Sequence, residues 1–292
     1  MRQPTTLLMV GLVSVAAGAC TTVSSPGPPE YPTSVVASDG VPSPSPQVLT
    51  LHLPLDGYLP SVDEIYTVET ATDLLQQRCM AAAGLDWPLI AHPTFGDWRN
   101  RRRYGVIESA VAHTFGYHAV PALLSPVVVY NEKVVRYNAL SEAQRLAATT
   151  PGTGCETVAT REIRNGITDT DDSFVNDMSG QSLDAAKNRP DVRQALNKWS
   201  ACMSESGYHY PDPLAASADR RWAATTNASP TEITTAETDV QCQQRTDVID
   251  IWFRGDSDIQ QASIAANPTY FSKLAQAKSN LLAAARRIIT GS

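Results

Sequence analysis

Residues 79–88 read Cys-Met-Ala-Ala-Ala-Gly-Leu-Asp-Trp-Pro, and residues 202–211 read Cys-Met-Ser-Glu-Ser-Gly-Tyr-His-Tyr-Pro. One pattern covers both: Cys-Met, three small or polar residues, Gly, a bulky residue, any residue, an aromatic ring, Pro. The approach to the first copy is helical. Ser61-Val62-Asp63-Glu64 has the form of a capping box, and Ile65, Val68, Ala71, Leu75 and Cys79 follow at helical spacing. Gly84 then stands where such a helix ends, supplying the positive φ that turns the chain. The second copy is approached in the same way. Pro190 and Asp191 start a helix carrying Val192, Leu196, Trp199 and Cys202, and Gly207 stops it. Each copy therefore reads as one device that stops a helix, reverses the chain and presents a cysteine for cross-linking.

A further cysteine follows each copy, Cys155 and Cys242. Four cysteines allow three connectivities, and sequence alone does not choose among them. The repeat argues for local pairing, Cys79 with Cys155 and Cys202 with Cys242. Such bridges close loops that are worth on the order of 3–4 kcal/mol each in a loop-closure account. The fifth cysteine, Cys20, has a different setting. Arg2 precedes an apolar run from Leu7 to Ala17, too short to span a bilayer as a mature helix, and Ala17-Gly18-Ala19 leads directly into Cys20. This is the form of a lipoprotein signal, with residues 1–19 removed and the Cys20 thiol acylated. An odd cysteine count is then explained, because an even set remains for disulfides in an oxidising compartment.

Residues 20–48 carry Pro26, Pro28, Pro29, Pro32, Pro42, Pro44 and Pro46 among Ser, Thr and Gly, and read as a tether. The rest divides by the repeat into a first helical unit over 49–166 and a second over 167–292, the latter with long C-terminal helices. The expected fold is mainly α, a disulfide-stapled helical domain of two related units with at most one small β-hairpin. That hairpin would pair Val127–Tyr130 with Val134–Tyr137. Further helix starts are Ser141 to Gln144, Asp169 to Asp172 and Ser229-Pro230-Thr231-Glu232. The helix opened at Ser229 is expected to run past Cys242 to Ile259. Beyond Asn267-Pro268, Phe271, Leu274, Leu281, Ala285 and Ile288 form an apolar seam that packs on the body of the protein or on a partner helix.

The stretch from Lys198 to Met203, Gly207-Tyr208-His209-Tyr210-Pro211-Asp212-Pro213 and Asp239-Val240-Gln241-Cys242 to Trp252 resembles a family of uncharacterised actinobacterial secreted proteins and lipoproteins. Leu51 to Tyr58 and Arg102-Arg103-Tyr104-Gly105 resemble that family's first half. The resemblance spans most of residues 50–265. It implies an extracytoplasmic, cell-envelope protein, and it implies no activity and no catalytic residues.

The chemistry-bearing residues are sparse. Neither cysteine motif has the Cys-x-x-Cys spacing of a zinc knuckle, and Met80 and Met203 read as core filling. Asp169 to Asp177 departs from a calcium loop, with Phe174 where Gly is needed and Gly180 where Glu is needed. No metal site and no cofactor is expected. Arg99, Arg101, Arg102 and Arg103 beside Tyr104 and Trp98 form the best candidate binding cluster, suited to an anionic wall polymer, lipid headgroups or an acidic partner. The competing reading pairs those arginines with the chain's own acids. The formal charge of −7, one unit more acidic once Arg2 is removed, argues against nucleic acid. The leading functional expectation is a lipid-anchored, non-catalytic protein that binds another envelope component. The alternatives are a wall-acting enzyme using acids such as Glu108 or Asp97, and an accessory solute-binding lipoprotein.

Overall fold

Twelve α-helices and no strand make up the described residues of the computed structural model, namely 40–94, 96–118, 127–168 and 171–291. The expected signal segment, Cys20, the expected tether up to residue 39 and the Asp169 cap expected from the sequence lie outside them. In chain order the helices are α1 (Pro46–Thr50), α2 (Val62–Ala82), α3 (Ser109–Phe115), α4 (Val127–Ala139), α5 (Glu142–Thr149), α6 (Cys155–Ile163) and α7 (Ser173–Lys187). They continue with α8 (Pro190–Glu205), α9 (Pro213–Ser217), α10 (Pro230–Thr246), α11 (Val248–Ala266) and α12 (Pro268–Thr290).

Both staples form as expected, Cys79–Cys155 and Cys202–Cys242, with Cα atoms 5.6 and 5.7 Å apart. The repeat is structural down to single hydrogen bonds. After α2, Gly84 N–H donates to Ala81 O and Leu85 N–H to Met80 O; after α8, Gly207 N–H donates to Ser204 O and Tyr208 N–H to Met203 O. This is the same Schellman closure twice, with Gly84 at φ 72° and Gly207 at φ 83°. Two residues before each cysteine, a side chain then holds the returning strand of chain. Gln77 donates to Trp87 O at 3.1 Å, and Ser200 to Tyr210 O at 2.7 Å. Met80 and Met203 are both fully buried beneath the turn.

The halves 49–166 and 167–292 interleave rather than sit as separate bodies. The largest core joins Val48, Tyr104, Val106 and Tyr117 to Trp199, Cys202, Val240, Cys242 and Trp252. The last helix crosses back to the first half, where Leu281, Ala285 and Ile288 of α12 pack with Ala71 and Leu75 of α2 and Ala159 and Ile163 of α6. Nearer its start, Phe271 and Leu274 join Leu55 and Val175. The seam of α12 is thus spent inside the molecule.

Three expectations are corrected. The hairpin over 127–137 is one helix, α4. Its β-branched residues favour strand, but Lys133 Nζ reaches Glu69 at 2.6 Å and Arg136 reaches Asp73 at 2.7 Å, which fixes α4 along α2 with Val129 and Val134 buried. The helix opened at Ser229 does not continue to Ile259, because Asp247 at φ 51° ends α10 and α11 restarts at Val248. The tether does not extend to residue 48. Val48 is buried, Val41 packs on the main core, and the segment lies against the body.

Candidate functional site

The arginine cluster is an interior hub. Each guanidinium is drawn to a different part of the chain. Arg99 pairs with Asp97 at 2.7 Å and donates to Pro60 O. Arg101, 1% exposed, pairs with Glu108 at 2.6 Å and donates to Pro42 O at 2.7 Å. Arg102 donates to Tyr117 O at 2.8 Å, and burial, followed by the neighbouring Arg101 charge, holds its pKa below the usual arginine value. Arg103 pairs with Asp256 at 2.7 Å and donates to the carbonyl and hydroxyl of Ser179. Tyr104 is fully buried and donates to Asp256 at 2.8 Å; burial and that carboxylate push its hydroxyl pKa up.

The expectation of an external anion-binding surface at Arg99, Arg101, Arg102, Arg103 and Tyr104 is therefore corrected. A guanidinium on a turn that is covered from several sides gains most by meeting buried carboxylates and carbonyls; Arg101 and Arg103 do so, Arg99 takes the half-buried Asp97, and Arg102 reaches the Tyr117 carbonyl with its Nη1 buried and unpartnered. The same geometry ties up the acids suggested for an enzyme, since Asp97 and Glu108 are held by Arg99 and Arg101. What the hub does hold is the incoming chain. Besides the Arg101 bond to Pro42 O, Glu108 Oε1 accepts from Ser45 N–H at 2.7 Å, so the segment 42–45 is clamped on the body.

A second polar group was not legible as such. Glu232, Thr235, Asp239 and Gln243 recur at three- and four-residue steps along α10, and all are buried. The signal lay in that spacing, which puts them on one helical face. Asp239 accepts from Trp199 Nε1 at 2.8 Å, Tyr117 Oη at 3.1 Å and Gln243 Nε2 at 2.7 Å. Complete burial nevertheless pushes its pKa up to about 7. Two turns earlier on α10, Glu232 Oε1 accepts from Tyr117 N–H at 2.8 Å and faces His118 Nδ1 at 2.8 Å. Gly116 makes room for it, because a Cβ there would meet the carboxylate at 2.8 Å. His118 Nε2 faces Thr225 O at 2.8 Å. Both ring nitrogens thus face acceptors, a setting that only the doubly protonated ring satisfies. The Thr225 carbonyl first and Glu232 second raise the His118 pKa.

These two groups set a sign for stability against pH. Asp239 holds its proton more tightly when folded, so stability falls as pH rises from the ordinary carboxylate range to about 7. The His118 contribution is full below the ordinary histidine value and is lost as pH rises through the raised one. Both act in one direction. Thermal unfolding followed between pH 5 and 8 is expected to show a midpoint falling with pH, as stability declines by on the order of 2 kcal/mol in all. Asp239→Asn is expected to flatten most of the slope, and a midpoint that rises across this window would contradict the assignment.

No protein-family model, no curated protein and no solved structure matches the chain. The site is accordingly read from its own chemistry. Among the described residues no group of three or more His, Cys, Asp or Glu side chains is arranged to hold a metal. His113 meets the exposed Glu237 and not His118. The charged groups singled out above act as internal ties. No described helix is long and apolar enough to cross a membrane.

Proposed function

We propose that this chain is a lipid-anchored, non-catalytic protein of the cell envelope whose stapled helical body binds another envelope component, a protein or a wall polymer. One observation carries the anchored part. The four cysteines after Cys20 are consumed in two disulfides, so Cys20, directly behind Ala17-Gly18-Ala19, is the single cysteine left over. Two bridges suit an oxidising compartment outside the cytoplasm. The clamp on Pro42 and Ser45 supports the same reading, because it fixes where the chain from the membrane enters the body. At most about 80 Å of chain separates Cys20 from Pro42.

The binding part is supported by the distribution of exposed apolar groups. Ile65, Leu89, Tyr130, Val135 and Leu146, five of the eight large apolar side chains left exposed among the described residues, lie on α2 and the segments around it. Leu146 and Val135 are 67% and 62% exposed. That concentration favours the first-half face as the contact surface, and kinship with the actinobacterial envelope family is part of the same proposal.

The test is made in intact cells. Wild-type protein is expected in the membrane fraction and to incorporate labelled fatty acid, whereas Cys20→Ala is expected in the soluble fraction without label. Crosslinking of the wild type is expected to recover one envelope protein or wall fragment, and Leu146→Asp with Val135→Asp to lose it. Membrane retention of Cys20→Ala would defeat the anchor, and crosslinking that yields no specific product would defeat the binding role.

A further inference from the structure

The end of α3 meets the loop before α10 through one histidine. Gly116 closes α3 at φ 54°, and His118 follows two residues on. Its Nδ1 faces Glu232 Oε1 on α10 and its Nε2 faces the Thr225 carbonyl, both at 2.8 Å, from partners 114 and 107 residues away in the chain. The imidazole is 19% exposed and the Glu232 side chain 0%. Thr225 lies in the exposed run 223–227, which leads to the α10 cap at Ser229. Among the described residues no other hydrogen bond joins 225–228 to the body.

Two acceptors on one ring need two N–H groups, so the contact is complete only while the imidazole is charged. When one proton leaves, the two acceptors do not compete equally. Glu232 is fully buried, its Oε2 meets no donor, and its Oε1 serves Tyr117 N–H besides the ring. Taking a donor from a buried carboxylate costs more than taking one from an exposed carbonyl, which water can reach. The remaining proton therefore stays on Nδ1, and the Nε2 lone pair is left pointing at the Thr225 oxygen. An attractive contact becomes a repulsive one. Trp222 keeps its own bond to Ala216 O at 2.7 Å, which confines the release to the residues after it.

We propose that His118 is a proton-operated latch: charged, it fastens the loop 223–228 to the end of α3; neutral, it keeps Glu232 and lets the loop go. The Thr225 carbonyl first and Glu232 second raise the ring's pKa, so the latch is closed below the ordinary histidine value and opens as pH rises through the raised one. The groups around it are accounted for. Tyr117 stacks on Trp222 with ring centroids 5.6 Å apart, gives its hydroxyl to Asp239 and accepts from Arg102 at its carbonyl. On α3, His113 turns to Glu237, and on the loop side Arg221 is held by Asp219. Residues 119–126 carry no titratable side chain. Asp239, with its pKa pushed up to about 7, changes charge in an overlapping window and has to be separated by experiment.

The experiment follows the disulfide-bonded protein by NMR between pH 5 and 8. Backbone order parameters over 225–228 are expected near about 0.85 at the acid end and below about 0.6 at the alkaline end, while those of α10 stay high throughout. The loop is expected to change in step with the His118 ring, and the neutral ring to carry its proton on Nδ1. His118→Gln, which has no charge to lose, is expected to give the same order parameters at both ends of the range. Asp239→Asn is expected to keep the change in the loop. A wild-type loop indifferent to pH would overturn the proposal, as would a neutral ring protonated on Nε2 or a change that survives in His118→Gln. A change lost in Asp239→Asn would overturn it too and assign the switch to that carboxyl; if that variant does not fold, the wild-type and His118→Gln readouts decide without it.

Discussion

Replacing Cys202 and Cys242 together by alanine is expected to cost the protein about 4 kcal/mol, which consumes a large part of the stability of an ordinary domain. The pair closes a separation of 40 residues, and removing it returns that loop's freedom to the unfolded chain. The same account gives Cys79–Cys155, with its separation of 76, a contribution larger by only about 0.6 kcal/mol, because the dependence on length is logarithmic. Packing separates the two further. Cys202 and Cys242 lie 5% and 2% exposed inside the largest core, between Trp199, Met203 and Val240. Cys79 is only partly buried at the edge of a smaller cluster with Trp87 and Leu140. The second bridge therefore adds a cavity term when it is truncated, and the first does not to the same degree. Denaturant unfolding of the two double-alanine variants measures this. The Cys202/Cys242 variant is expected to be the less stable in spite of its shorter loop. The reverse order would mean that loop closure alone governs, and that the main core adapts around the missing sulfurs.

The parts of the fold that were legible in the sequence are those whose chemistry is local. Gly84 and Gly207 announce helix ends because few other residues take positive φ without strain, and the structure puts them at 72° and 83°. Ser61 with Glu64, and Ser141 with Gln144, close capping boxes within four residues. Asn267-Pro268 breaks a helix because proline lacks the donor. What escaped depends on partners far away in the chain. Val127 to Tyr130 reads as strand until Lys133 and Arg136 are seen on Glu69 and Asp73, more than sixty residues earlier. Asp247 gives no local sign that it ends a helix. Arg103 looks like a surface cation, and its partner Asp256 lies 153 residues on. The row from Glu232 to Gln243 looks solvated because polar side chains usually are, and only the burial of Tyr117 and Trp199 against it shows otherwise.

Arg101→Met is expected to destabilise the body by about 3–5 kcal/mol, since it leaves Glu108, itself 5% exposed, as a buried charge without its cation. Glu108→Leu is expected to fall in the same range for the opposite reason. The double variant separates two roles. If the residues only neutralised each other, an apolar pair of similar volume would recover nearly all the loss. Here it is not expected to, because the pair also serves Pro42 O and Ser45 N–H, and neither backbone group has a partner once both side chains are apolar. The deficit that remains, about 1–2 kcal/mol, is the strength of the clamp on the tether. It has an independent signature in limited proteolysis. Cleavage within residues 40–46 is expected to be slow in the wild type and fast in the double variant, even under conditions where the core of both is fully folded. The logic is that local opening, not global unfolding, exposes this segment, and its opening is governed by the few bonds that hold it. Equal cleavage rates would show that Val41 and Val48 hold the segment by packing alone, and that the buried ion pair belongs to the body and not to the point where the chain enters it.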